Sequence, residues 1–385
     1  MNCIYCSGRR GDNQMTLEHI WPKALGGNNS PPLFRSQRVC ERCNNLAGLW
    51  VDGAFMKSFF TSIESGLAAQ RFLDPKRPSA LPLIYMGEDQ EFPVQPDEVC
   101  ERWSGPSGEH IYLVHLADDD KWYGFAGGDV IRRQKDPGRV YFYLTSAEEY
   151  WAITGLLSII KAHAGKRLFS LTTLQSDVPL FEHFIVPEDR ATSVEAAEIS
   201  WIRSRPQHNQ RNALSIRLDF ADRFLAKLAL GLGHNLFGES YINGTYADQL
   251  RQLLWRKPSE DMPNVYGTGF WQQPLSAGLS QIISIPGAWA IVLCAVEKSL
   301  ALSLLSPSGR EMAICISDDI TPFDEAVVSE YFHGMVYYMI PVKSIFAGPF
   351  QIARVLAHRN GTRVDSELAV FDAMKTTPGI LPAKR

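Results

Sequence analysis

The sequence predicts an α+β chain: a small metal-stapled module leads, and a larger mixed α/β region with antiparallel strands follows. Three observations support this. Four of the seven cysteines fall near the start as two pairs, Cys3-x-x-Cys6 and Cys40-x-x-Cys43. Short strand-like runs follow, separated by turn residues. Longer stretches between them have apolar residues at helical spacing.

In chain order, residues 1–43 show little periodicity. From Asn44 to about Leu67 the spacing of Leu46, Trp50, Phe55, Phe59 and Ile63 predicts a helix. The polar stretch Asp74-Pro75-Lys76-Arg77-Pro78-Ser79 reads as a boundary. We therefore expect a module over residues 1–67 and a region over 80–385, with two lobes divided near 187–212. Strands are expected at Leu81–Met86, His110–Leu116, Lys121–Ala126 and Val140–Leu144, with a turn at Asp118-Asp119-Asp120. Ser146 and Glu149 form a capping box ahead of a helix running to Ala164. Residues 187–212 read as polar and irregular apart from Ile199–Ile202. Asp219 opens a helix to about Leu236, and a further helix covers Tyr246–Trp255. The last third predicts strands at Gln281–Ile285, Ala288–Val296, Leu300–Leu305 and Glu311–Ser317, with Pro307-Ser308-Gly309 as a turn.

Composition narrows the function classes. The net charge of −4 excludes a chain coated with basic residues, so any nucleic-acid surface must be local. The chain opens without a basic start and apolar run, and no apolar stretch reaches membrane-spanning length, so no membrane partner is expected. A cytoplasmic protein is the expectation. In that reducing setting, paired C-x-x-C spacing points to metal rather than to disulfides. Four thiolates are the ligand set of a tetrahedral structural Zn²⁺, and such a staple replaces the core that a short module lacks. Cys294 and Cys315 lie in apolar runs and read as core residues.

Between the pairs stands Leu17-Glu18-His19-Ile20-Trp21-Pro22-Lys23-Ala24-Leu25-Gly26-Gly27, and Asn44-Asn45 directly follows Cys43. Over residues 3–55 this order and spacing resemble the HNH endonuclease family, the ββα-metal type with a treble-clef-like zinc site. The variant looks like one found in free-standing bacterial HNH proteins, some of them linked to phage defence. The resemblance implies that His19 is the general base and that Glu18 and Asn44 bind the catalytic ion. That assignment fits the chemistry. A neutral imidazole can deprotonate water near pH 7, and a hard ion such as Mg²⁺ or Mn²⁺ takes oxygen ligands. Many family members carry an Asn before the second pair that orients the histidine. Here the stretch is Phe34-Arg35-Ser36-Gln37-Arg38-Val39, leaving Ser36, Gln37, Asn28 or Asn29 as substitutes.

Other charged residues read more plainly. Asp52 reads first as a solvated helix residue, with assistance to the metal as the other option. Lys227 reads as snorkelling from an amphipathic helix and His234 as favouring that helix's dipole. Residues 1–60 hold seven basic and four acidic side chains. Arg9, Arg10, Lys23, Arg35 and Arg38 are the candidate nucleic-acid contacts, with DNA as the expected substrate. The clusters Arg132, Arg133, Lys135, Arg139 and Arg203, Arg205, Arg211 read as solvated loops. A homodimer would supply the two active sites that a double-strand break needs. The rival readings are a non-catalytic zinc module that binds nucleic acid or protein, and a nuclease gated by a ligand at the C-terminal region.

Overall fold

The computed structural model describes residues 1–72, 84–104, 110–117, 137–143, 166–171, 185–205, 217–267 and 277–374. The expected boundary at 74–79, the Lys121–Ala126 strand, the Asp118–Asp120 turn and the Ala147–Ala164 helix lie outside these residues. So do Arg132, Arg133, Lys135, Arg211 and the tail after Lys375.

The chain opens with a hairpin of β1 (Met15–His19) and β2 (Arg35–Cys40), followed by α1 (Glu41–Ala47). β1 and β2 pair antiparallel, with Glu18 opposite Ser36, His19 opposite Arg35, and a bulge between Thr16 and Glu18. The helix predicted from Asn44 to Leu67 is not continuous. α1 passes into a π turn over Gly48–Gly53 and a short helical turn, and a new helix, α2 (Phe59–Arg71), starts after Ser58. A π turn admits an extra residue and re-aims the side chains around it.

Residues 57–216 belong to a second compact unit. It contains β3 (Ile84–Glu88), β4 (Glu98–Ser104), β5 (His110–Leu116), β6 (Gly138–Tyr143), β7 (Arg167–Ser170) and α3 (Ser193–Ser204). The strands form one sheet in that order; β3 to β6 pair antiparallel and β7 adds in parallel to β6. Phe92, Tyr112, Tyr141, Phe169 and Ile202 fill its core. The stretch expected to be irregular contains α3, whose start carries a capping box between Thr192 and Glu195.

The first unit joins Met1–Met56 to Arg217–Thr376. After the second unit come α4 (Asp219–Phe237), α5 (Thr245–Trp255), α6 (Ala277–Ile283), β8 (Trp289–Val296), β9 (Ser299–Leu305) and β10 (Glu311–Ser317). α7 (Glu325–Phe332), β11 (Met335–Ile340), β12 (Ile345–Gln351), α8 (Ile352–Arg359) and α9 (Ser366–Ala373) complete it. Its five-stranded sheet runs β10-β9-β8-β11-β12, all antiparallel. The Gln281–Ile285 run, expected as a strand, is instead the end of α6 and the loop after it. A run of two or three apolar residues has too few positions to separate the two periods.

In this unit the hairpin is built into the fold. Phe55 stacks on Phe224 of α4 with ring centroids 3.9 Å apart, and Trp21 meets Phe224 at 5.9 Å and Trp289 of β8 at 6.1 Å. Phe34 packs on Tyr337 and Phe346 at 5.0 and 4.9 Å. Each of these large rings is worth several kcal/mol of burial. Ile20 lies against Gly231 of α4, where a Cβ would stand 2.6 Å from Ile20 Cγ1, so any side chain there would push β1 away from the helix.

Candidate metal centre and active site

The four cysteine sulfurs converge. The Sγ atoms of Cys3, Cys6, Cys40 and Cys43 all lie within 4.8 Å of one another. A tetrahedral ion with metal–sulfur bonds of about 2.3 Å needs its sulfurs about 3.8 Å apart, so the donor set fits a resident metal ion. Cys3, Cys40 and Cys43 are buried, Cys6 is exposed, and the Cys40 amide donates to Cys3 Sγ at 3.3 Å. A hydrogen bond from Cys43 draws the Cys3 thiol down to about 5, which marks it as the readiest thiolate. Helix α5 braces the first pair. Arg251 Nε donates to the Ile4 carbonyl and Trp255 Nε1 to that of Tyr5, each at 2.8 Å.

His19 ends β1, half-buried, and its ring has no hydrogen-bond partner among the described residues. Burial first, then the charges of Lys23 and Arg35, hold it below the ordinary imidazole value. It is therefore neutral at pH 7, as a proton acceptor must be. Asn44, early in α1, lies against β1 two to three residues before His19. Its Nδ2 donates to Thr16 Oγ1 at 2.9 Å and to the Leu17 carbonyl at 3.2 Å. A carbonyl can only accept, so this pairing fixes the amide's orientation and turns Oδ1 away, where it has no partner among the described residues.

Glu18 points the other way. It is 3% exposed, and its Oε1 accepts from Tyr5 Oη at 3.2 Å and pairs with Lys227 Nζ at 2.7 Å; Oε2 has no partner among the described residues. Adjacent residues on a strand face opposite sides, which is why His19 and Glu18 part here.

Two plain readings from the sequence are corrected. Lys227 does not snorkel: it is wholly buried, and its ammonium reaches Glu18 Oε1, both oxygens of Asp52 (2.9 and 2.7 Å) and the His19 carbonyl (3.1 Å). Asp52 is not solvated: the π turn brings it onto Lys227. Burial opposes the ammonium, but the carboxylates of Asp52 and Glu18 outweigh it and raise Lys227 above its ordinary value. Burial, with the Glu18 charge, lifts Asp52 to about 6 against the pull of Lys227. His234, near the end of α4, is held below the ordinary imidazole value by burial.

Sequence reasoning missed Lys227 and Asn235, both on α4. Asn235 Nδ2 donates to the Leu33 and Arg35 carbonyls at 2.8 Å each. A signal was present in the chain. From Phe224 to Gly233, Lys227 is the one charged residue in an otherwise apolar run. The substitutes considered for orienting His19 are engaged elsewhere or apart from it. Ser36 Oγ accepts from the Arg38 amide, Asn29 bonds to the Ser344 carbonyl, and neither Gln37 nor Asn28 bonds to His19 among the described residues.

Of the basic candidates, Arg9, Arg10 and Lys23 are exposed. Arg35 is tied to the Asn28 carbonyl at 2.6 Å and Arg38 is paired with Glu239. No helix among the described residues is long and apolar enough to cross a membrane.

No curated protein and no solved structure matches the chain. Residues 3–60 match the family model of the HNH endonucleases. That span contains the hairpin, α1 and all four clustered cysteines, so residues 3–60 form a module of the HNH endonuclease family.

Proposed function

We propose that the chain is a metal-dependent HNH endonuclease that hydrolyses phosphodiester bonds in DNA. The observation that carries this reading is His19: a neutral, half-buried imidazole without a hydrogen-bond partner among the described residues, at the end of β1. The cysteine cluster would hold Zn²⁺, the ion suited to four soft sulfur ligands.

Asn44 Oδ1 would offer an oxygen to a hard divalent ion, Mg²⁺ or Mn²⁺, and Glu18, turned to the other face onto Lys227, would join it only by swinging away from that pair. When bound, such an ion relieves charge on the phosphate and on the departing 3′-oxygen. The rest falls to the chain. His19 takes a proton from the attacking water, and its depressed pKa keeps it ready to do so at neutral pH. Lys23, exposed beside His19, and Arg9 and Arg10 supply positive charge toward the phosphate backbone.

In this reading the protein works in the cytoplasm, where its cysteines stay reduced. It pairs as a homodimer to cut both strands, and phage defence is its setting. The region beyond residue 80 serves recognition, sensing or dimerisation. One observation favours the non-catalytic alternative: Glu18 is already ion-paired to Lys227.

Plasmid and single-strand cleavage by purified protein, with Mg²⁺ and Mn²⁺, separates the two. The nuclease reading expects His19→Ala to retain its zinc and its melting temperature while cutting falls about 10²–10⁴-fold. Undiminished cutting by that variant, or no cutting by the parent with either ion, would leave the binding module as the answer.

A further inference from the structure

We propose that Lys227 is a positioning residue for His19, acting on its backbone from a helix some two hundred residues away in the chain. The inference rests on the nuclease reading, because it concerns the group assigned there as base.

The Lys227 ammonium donates to both Asp52 oxygens, at 2.9 and 2.7 Å, and to the His19 carbonyl at 3.1 Å, and it pairs with Glu18 Oε1 at 2.7 Å. An ammonium has three hydrogens, and these three hydrogen bonds use them all. The two carboxylates anchor the nitrogen, and the third hydrogen fixes the His19 peptide. Among the described residues no hydrogen bond holds the His19 ring, so its direction is set by the backbone it hangs from. On the partner strand, Asn235 of the same helix grips the carbonyl of Arg35, the residue paired with His19. Helix α4 thus clamps both strands at one rung of the hairpin. Ile20, the next residue, is seated against Gly231 between the two clamps. A base displaced by about 1 Å can lose on the order of a hundredfold in rate, so a clamp here has kinetic consequences.

The experiment is a cycle run on plasmid nicking in Mg²⁺. Asp52→Asn serves as the parent, because it relieves one of the two carboxylates that Lys227 balances. Into it are placed Lys227→Met, which removes the donor, and Lys227→Gln, which keeps an N–H. Each is also made with His19→Gly, assayed with added imidazole as a diffusible base. We expect Lys227→Met to lower kcat by at least about tenfold with KM little changed, and Lys227→Gln to recover most of it. In the His19→Gly proteins supplied with imidazole, Lys227→Met should change the rate by less than about twofold, because a free ring needs no backbone clamp. Equal losses with and without the His19 ring, or equal losses for Met and Gln, would overturn the proposal. A His19→Gly protein that cuts at the parental rate without imidazole would instead refute the nuclease reading. If a variant does not melt cooperatively, or imidazole restores nothing, a crystal structure of the wild-type chain decides. A Lys227 Nζ to His19 oxygen separation near 3 Å supports the clamp, and one beyond 4 Å refutes it.

Discussion

Each compact unit sets a largely enclosed cation between two carboxylates, and the two clusters differ in what the cation does with its last donor. In the first unit Lys227 sits between Glu18 and Asp52 and gives its remaining hydrogen to the His19 backbone. In the second, Arg139 sits between Glu98 and Glu198. Its Nη1 and Nη2 reach Glu98 at 2.7 and 2.6 Å, and its Nε and Nη2 reach Glu198 at 2.9 and 2.7 Å. Tyr141 closes that cluster on Glu198. The Arg139 network is spent on its own ion pairs and holds β6 to β4 and α3. The Lys227 network has the same formal charge but is connected to a residue with chemistry. A buried ion pair alone is weak grounds for assigning function. Its connections decide the question.

Removing the cation breaks the comparison most sharply. Lys227→Met and Arg139→Met each strand two carboxylates, and each should lower stability by about 3–5 kcal/mol, read by denaturant titration. At a temperature where both variants remain folded, only Lys227→Met should slow DNA cleavage. If Arg139→Met slows it equally, the two clusters play the same structural part.

The cysteine cluster was legible in the sequence, because its signal is local. Four cysteines in two pairs announce a metal, whereas the hairpin and helix start were expected only from the family resemblance. The scaffold was not legible in the same way. Lys227 is distant in sequence from Glu18, and only the fold brings them together. The π turn over Gly48–Gly53 defeated the reading of Asp52, since regular helical spacing places that side chain on another face. The run at Gln281–Ile285 was too short to show its period, and α3 was hidden by polar residues although its capping box, Thr192 and Glu195, was there to be read.

Protonation gives a second contrast, with opposite signs in the two clusters. Asp52 is raised from 3.8 to about 6, so the fold prefers its protonated form; that contribution to stability is present in acid and is lost as pH rises through about 6. Glu98 is lowered, chiefly by its hydrogen bond from Arg139, so its contribution is present above 4.5 and is lost as pH falls through its folded value. Without added Mg²⁺ or Mn²⁺, Asp52→Asn should therefore gain on the wild type by roughly 2 kcal/mol between pH 4 and pH 8. Glu98→Gln should show the reverse, falling behind the wild type as pH rises from 3 to 7. Melting curves across pH measure both, and parallel pH profiles for the two variants would erase the distinction.

Asn235 offers a smaller test on the functional side. Asn235→Ala leaves the Leu33 and Arg35 carbonyls without the donor they share. The expected loss is about 1–3 kcal/mol of stability, since a half-buried carbonyl then depends on water. Cleavage should fall less than in Lys227→Met, because Asn235 grips the strand opposite His19 rather than His19 itself. A larger kinetic loss than that of Lys227→Met would put the weight of the clamp on β2.

The smallest expected effect lies on the structural side, at the start of α3. Thr192 accepts from the Glu195 amide at 3.3 Å, and Glu195 Oε2 accepts from the Thr192 amide at 2.7 Å. The same carboxylate holds Arg167 of β7 through Nε at 2.5 Å and Nη2 at 2.9 Å. Thr192→Ala removes only the first of these bonds and should lower stability by about 1 kcal/mol. Glu195 keeps its remaining partners, so the helix and the β7 edge stay joined. Because this cap belongs to the second unit, plasmid cleavage should be unchanged at 25 °C. A cleavage defect from so mild a loss in the second unit would show that unit to be coupled to the active site, and would remove the ground for treating its ion cluster as purely structural.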